Sequence, residues 1–101
     1  KRLMLAILSD QYYILSNRES GEGRFDLQLE PRHHRRKGYI IEFKVAQDQT
    51  EEALAEAAKD AVRQIRDRGY AEDMEYRGIT EIGFFGIAFH GKRLACEYQE
   101  K

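Results

Sequence analysis

The chain has 101 residues, 42% of them hydrophobic and 35% charged, with a net charge of −1. That suits one domain, residues 1–101, with a modest core, and it excludes a global basic excess, so any nucleic-acid contact must be local. No apolar run approaches the roughly 20 residues that span a bilayer, so no membrane partner is expected. A single Cys96 excludes an internal disulfide or a cysteine-based zinc cluster and fits a reducing, cytoplasmic setting. The first residue is Lys1, with no methionine before it, which reads as a piece of a longer protein.

Lys1 to Ser9 carries a Leu/Met/Ala/Ile run that reads as the last turns of a helix. Gln11 to Ser16 reads as a first strand. Asn17 to Gly23, with Asn, Ser and two Gly, reads as a turn. Arg24 to Glu30 alternates: Phe25, Leu27 and Leu29 share one face, Arg24, Asp26, Gln28 and Glu30 the other. Pro31 stops it. A basic loop, Arg32-His33-His34-Arg35-Arg36-Lys37-Gly38, leads into Tyr39 to Ala46, a strand rich in β-branched and aromatic residues. Glu42 and Lys44 point to one side of that strand, while Ile41, Phe43 and Val45 point to the other and read as core.

Thr50 suits an N-cap, and Glu51 and Glu52 suit the first turn of the helix that follows. Leu54, Ala58, Ala61, Val62 and Ile65 form its apolar stripe, and Gly69 its stop. A shorter helix runs through Met74. Glu81 to Phe89 is an apolar strand, His90-Gly91 a two-residue turn and Arg93 to Glu97 the returning strand. The connection from the central strand through the long helix suits a parallel, right-handed crossover. The expected architecture is therefore α/β: a mixed sheet of about five strands flanked by helices, in the order helix, three strands, helix, two strands.

A hairpin centred on His34 places Asp26 opposite Glu42 and Arg24 opposite Lys44. A one-residue slip breaks the alternation, so this register is favoured. Opposed Cβ atoms lie about 5 Å apart, and like charges so placed repel. The Lys44 ammonium, on the same face, is drawn to them. Two readings of the pair stand. A hard divalent cation such as Mg²⁺ neutralises the carboxylates, with water or phosphate completing its shell; or both are solvated on an open sheet face, paired by Lys44 and Arg24, at little gain in stability.

Asp26, followed fifteen residues later by Ile41-Glu42-Phe43-Lys44, resembles the PD-(D/E)XK nuclease superfamily. Ser16 to Asp26, Ile40 to Lys44 and Phe89-His90-Gly91-Lys92 look like one bacterial branch, whose nuclease-like domain follows an AAA-ATPase-like domain in a longer chain. The resemblance implies a restriction-endonuclease-like fold and a Mg²⁺- or Mn²⁺-dependent phosphodiesterase acting on DNA or RNA. It implies that Asp26, Glu42 and the Phe43 carbonyl hold the metal, and that Lys44 orients or helps deprotonate the attacking water. Phe25 stands where the superfamily name has Pro. Gln64 and Tyr70 resemble a helix Gln and following Tyr of several branches; as residues alone they also fit a boundary glutamine and a packed aromatic.

Glu19 or Glu22 is a candidate third carboxylate. Arg24, Arg32, Arg35, Arg36 and Lys37, with Tyr70, are the candidate nucleic-acid contacts, against the plainer reading of a solvated basic turn. His33 and His34 are adjacent in a turn, where side chains diverge, and are read as solvent-exposed. The rival to an enzyme is a non-catalytic module of the same fold, binding nucleic acid or protein beside its ATPase domain.

Overall fold

The computed structural model describes residues 10–19, 24–33 and 35–101. The helix expected within Lys1 to Ser9 lies outside them, as do Glu22 and His34; Asp10 and Gln11 have helical backbone. Strands β1 (Tyr12–Glu19), β2 (Arg24–Pro31) and β3 (Gly38–Val45) come first. Helices α1 (Glu51–Arg68) and α2 (Tyr70–Tyr76) follow. Strands β4 (Ile82–His90) and β5 (Arg93–Glu100) close the chain. All five strands form one sheet in sequence order. β3 and β4 pair in parallel, and every other neighbouring pair is antiparallel. Parallel neighbours need a long crossover, and α1 and α2 supply it. No helix among the described residues is long and apolar enough to cross a membrane.

The β2–β3 register is the expected one, with Asp26 opposite Glu42. That ladder runs from Phe25–Phe43 to Leu29–Tyr39, so Arg24 and Lys44 stand just beyond its last rung. β1 is longer than expected: Asn17, Arg18 and Glu19 pair with Asp26, Phe25 and Arg24 instead of turning. A ladder partner outweighs the local turn preference of a single Asn. The last hairpin also shifts by one residue. His90 pairs with Arg93, which leaves Gly91-Lys92 as the turn. Only Gly91 has positive φ there, 59°, the pattern of a turn that demands Gly at its first central position.

α1 forms where the chain carries a cap, a stripe and a stop. Thr50 Oγ1 accepts the Ala53 N–H at 3.1 Å, and Asp48 Oδ1 accepts from the Thr50 N–H at 2.9 Å. Leu54, Ala57, Ala58, Ala61, Val62 and Ile65 are buried, and Gly69 ends the helix at φ 73°. Arg77, capping α2, grips Glu30 of β2 with Nε 2.8 Å from Oε1 and Nη2 2.6 Å from Oε1. The C-terminal end of α2 is thereby tied to β2.

Both helices pack on the face of β3 that carries Ile40, Glu42 and Lys44. Ile40 and Phe84 share one core cluster with Val62, Ile65, Ala71 and Met74; Ala46 and Ala88 share another with Leu54, Ala57 and Ala58. Here the expectation for Ile41, Phe43 and Val45 is corrected. They lie on the opposite face, Ile41 and Phe43 half-buried and Val45 46% exposed. That second face carries an aromatic row, Tyr12–Tyr39–Phe85–Tyr98, with centroids 6.4, 5.9 and 4.6 Å apart. Both sides of β3 are apolar enough to be core, and alternation cannot say which one a helix will cover.

Gly86, beside Glu42 in the β3–β4 ladder, lets α1 sit close. A Cβ there would lie 2.1 Å from the Ala58 carbonyl oxygen and 3.0 Å from Ala61 Cβ. Backbone cannot yield as a flexible side chain can, so Gly86→Ala should lever α1 from the sheet. Overpacking of this kind costs about 1–3 kcal/mol. Thermal melting should show Tm lower by at least about 4 °C; an unchanged Tm would mean that the helix seat is not tight.

Candidate metal site beneath the first helix

A single transverse row of the sheet carries Asn17, Asp26, Glu42 and Gly86 on β1 to β4. Asp26 is 1% and Glu42 0% exposed. The reading of two solvated carboxylates on an open face is therefore corrected: α1, seated on Gly86, covers them. Burying two like charges side by side is unfavourable unless counter-charge and hydrogen bonds offset it. Asn17 Nδ2 donates to Asp26 Oδ1 at 3.3 Å. Arg68, the last residue of α1, places Nη1 3.1 Å from Asp26 Oδ2 and 3.6 Å from Glu42 Oε1. Tyr70, the first residue of α2, brings its hydroxyl within 3.5 Å of Asp26 Oδ2, a long contact. The α1–α2 corner thus delivers two groups to one carboxylate.

Lys44 shares this face, two residues beyond Glu42, yet its ammonium goes elsewhere than expected. Nζ lies 3.4 Å from Asp60 Oδ2. Asp60 also accepts from Arg63, and the Arg63 guanidinium, with Lys44 behind it, holds the Asp60 carboxyl below its usual range. Asp60 therefore stays a charged partner for Lys44 at neutral pH. A pocket of ≈ 300 Å³ opens beside Lys44, between the end of β3 and the first turns of α1, with Gln47, Ala53, Glu56 and Ala57 on its walls.

Gln64 occupies the same helix row as Asp60 and Arg68, at spacings of four residues. It stands between the helix residue that meets Lys44 and the one that meets Glu42. Its Oε1 is buried and accepts no hydrogen bond from the described residues. A buried acceptor left so is costly and invites a donor such as water. Phe43 pairs with Phe25 and Ile87 inside the sheet; a ladder carbonyl keeps a second lone pair. Two opposed buried carboxylates are hard oxygen donors of the kind that suits Mg²⁺ or Mn²⁺ with water or phosphate completing the shell, and the Phe43 carbonyl follows Glu42 directly in the chain. Among the described residues no third acidic, His or Cys side chain joins them. Of the candidate third carboxylates, the Glu19 side chain and the whole of Glu22 lie outside the described residues.

The basic loop is not brought to this site. It lies at the other end of the β2–β3 hairpin, beginning six residues or roughly 20 Å along β2 from Asp26. Arg32 lies over the Tyr13 ring at 4.2 Å, and Lys37 pairs with Glu100. Arg35, Arg36 and His33 are exposed. Arg24 starts β2, two residues before Asp26, and its side chain lies outside the described residues.

Asn17, Asp60 and Arg68 are the groups that sequence reasoning missed. Asn17 was hidden by turn composition. The row Asp60, Gln64 and Arg68 was visible as a four-residue spacing flanking the apolar stripe, but nothing local says that a polar helix row faces a polar strand row.

The family model described as the PD-(D/E)XK nuclease superfamily matches residues 2–99. No curated protein and no solved structure matches the chain. A five-stranded mixed sheet with a helical crossover, an acidic pair opposed on β2 and β3, and Lys44 two residues on agree with that match over nearly the whole length, and the chain belongs to the PD-(D/E)XK nuclease superfamily.

Proposed function

We propose that this domain is a divalent-metal-dependent nuclease that hydrolyses the backbone of DNA or RNA, with Asp26, Glu42 and Lys44 as its central residues. The observation that carries the reading is the burial of Asp26 and Glu42 face to face, with Lys44 on the same side of β3. Asp26, Glu42 and the Phe43 carbonyl would hold Mg²⁺ or Mn²⁺, which would supply Lewis-acid activation of water and stabilisation of charge on the phosphate. Asp26 and Glu42 are rigid supports, because each sits in a paired strand beneath a helix. Lys44 releases Asp60 and turns its ammonium to the substrate phosphate and the attacking water, where negative charge grows. Gln64 offers its buried carbonyl oxygen to hold that water in line. The motif string that resembles one bacterial branch supports a place for the domain beside an AAA-ATPase-like domain in a longer cytoplasmic protein.

Metal binding tests the carboxylates. Mg²⁺ or Mn²⁺ should raise Tm by binding the native state alone. Asp26→Asn and Glu42→Gln should each abolish the rise; the same metal-induced shift in both variants would place the ion elsewhere.

Cleavage tests Lys44. Lys44→Ala should retain the fold and the metal-induced Tm rise, while cleavage of plasmid or single-stranded substrate falls by about 10²-fold or more, the scale of losing one preorganised electrostatic group. Cleavage at the wild-type rate would remove Lys44 from the mechanism. Wild-type protein that binds metal and nucleic acid without cutting any substrate would instead support the binding-module role.

The basic loop has a place in this reading as a second backbone contact. A separation of roughly 20 Å spans about six nucleotides of a duplex strand, so one duplex laid along the hairpin reaches both ends. Replacing Arg35 and Arg36 with Gln should weaken duplex binding and flatten its salt dependence by a slope of about 0.9 per lost contact. Equal affinity and slope would return the loop to a solvated turn.

A further inference from the structure

Arg68 belongs to none of the sequence motifs, yet among the described residues it is the cation that meets both members of the acidic pair. One nitrogen lies 3.1 Å from Asp26 Oδ2 and 3.6 Å from Glu42 Oε1, so it bridges oxygens of both carboxylates. A divalent ion such as Mg²⁺ binds carboxylate oxygens at about 2.0–2.1 Å. An ion on these oxygens and a guanidinium nitrogen at its observed distance would be two cations packed within contact range. One of them must give way. Asp26 and Glu42 are fixed in paired strands, whereas Arg68 is the last residue of α1, 23% of its side chain reaches the surface, and its long stem can swing.

We infer that Arg68 sets the affinity of the site for its cation by competing for the same carboxylate oxygens; the inference rests on the metal-site reading above. The guanidinium neutralises one of the two negative charges and shields them from other cations, and the divalent ion binds only by displacing it. The coupling is reciprocal: whatever free energy the guanidinium gains from the carboxylates is withheld from the metal. Lys44 does not take this role, since its ammonium faces Asp60. Tyr70 and Asn17 direct their polar groups to Asp26 and carry no charge, so neither replaces Arg68 as counter-ion.

The experiment titrates Mn²⁺ calorimetrically into the chelator-stripped chain, with melting curves beside it, for wild type, Arg68→Gln, Arg68→Lys and Asp26→Asn. Arg68→Gln should bind Mn²⁺ about tenfold tighter or more, because charges this close in a covered site interact strongly. Its metal-induced rise in Tm should exceed that of wild type. Arg68→Lys should fall between them, since a hydrated point charge bridges two carboxylates less well than a planar fork. A purely structural Arg68 would lower Tm without tightening Mn²⁺. Binding that is lost in Asp26→Asn but equal or weaker in both Arg68 variants overturns the competition and leaves the metal site standing. Mn²⁺ binding by no protein in the set overturns both. Binding by Arg68→Gln where wild type shows none supports the inference in its strongest form. If Arg68→Gln does not fold, Arg68→Lys decides by the same comparison: tighter supports, equal or weaker overturns.

Discussion

Two carboxylates on adjacent strands, directly opposed and shut off from solvent, make the constraint on which this structure turns. Asp26 and Glu42 repel each other where water cannot screen them. A fold keeps such a pair only by surrounding it with compensating groups, and these come from distant parts of the chain. Asn17 reaches Asp26 from the neighbouring strand, while Arg68 and Tyr70 reach it from the corner between the helices. Gly86, without a side chain, lets the covering helix descend beside Glu42. Each group has an ordinary structural use, and together they hold negative charge at one fixed place.

Helix α1 works as both lid and counterpart. Its apolar stripe closes the core against Ile40, Phe84 and Ala88. Along its flank runs a second, polar row whose charges complement the strand beneath. Asp60 faces Lys44, Arg68 faces Glu42 and Asp26, and Gln64 lies between. Acid meets base at both ends of the row. Charge is thus matched within the protein at both ends, while the buried Gln64 Oε1 between them accepts no hydrogen bond from the described residues.

Position in the sheet adds to this. β3 has an antiparallel neighbour on one side and a parallel one on the other, so it is an interior strand that cannot slide without breaking two ladders. Residues on it are held more firmly than loop residues, which suits groups that must stay aligned during chemistry. The basic loop lies at the far end of the hairpin, removed from that alignment. Its Arg35 and Arg36 are exposed.

The β2–β3 hairpin was legible in the sequence by itself. Phe25, Leu27 and Leu29 alternate with Asp26, Gln28 and Glu30, and a shift by one residue would invert every side chain, so the Asp26–Glu42 opposition followed from local pattern. The cap at Thr50, the stop at Gly69 and the parallel crossover were readable for the same reason: their signals lie within a few residues of their effect. What only the tertiary structure decided is which face of β3 became the core, since Ile41, Phe43 and Val45 are as apolar as the face that α1 covers. It also decided that Lys44 turns to Asp60 and that Arg68 supplies the counter-charge. Those choices depend on how far a helix rotates and slides over a sheet. The seat of α1 depends on the close approach of Gly86 to Ala58 and Ala61, residues far apart in the chain, and no periodicity within one segment encodes it.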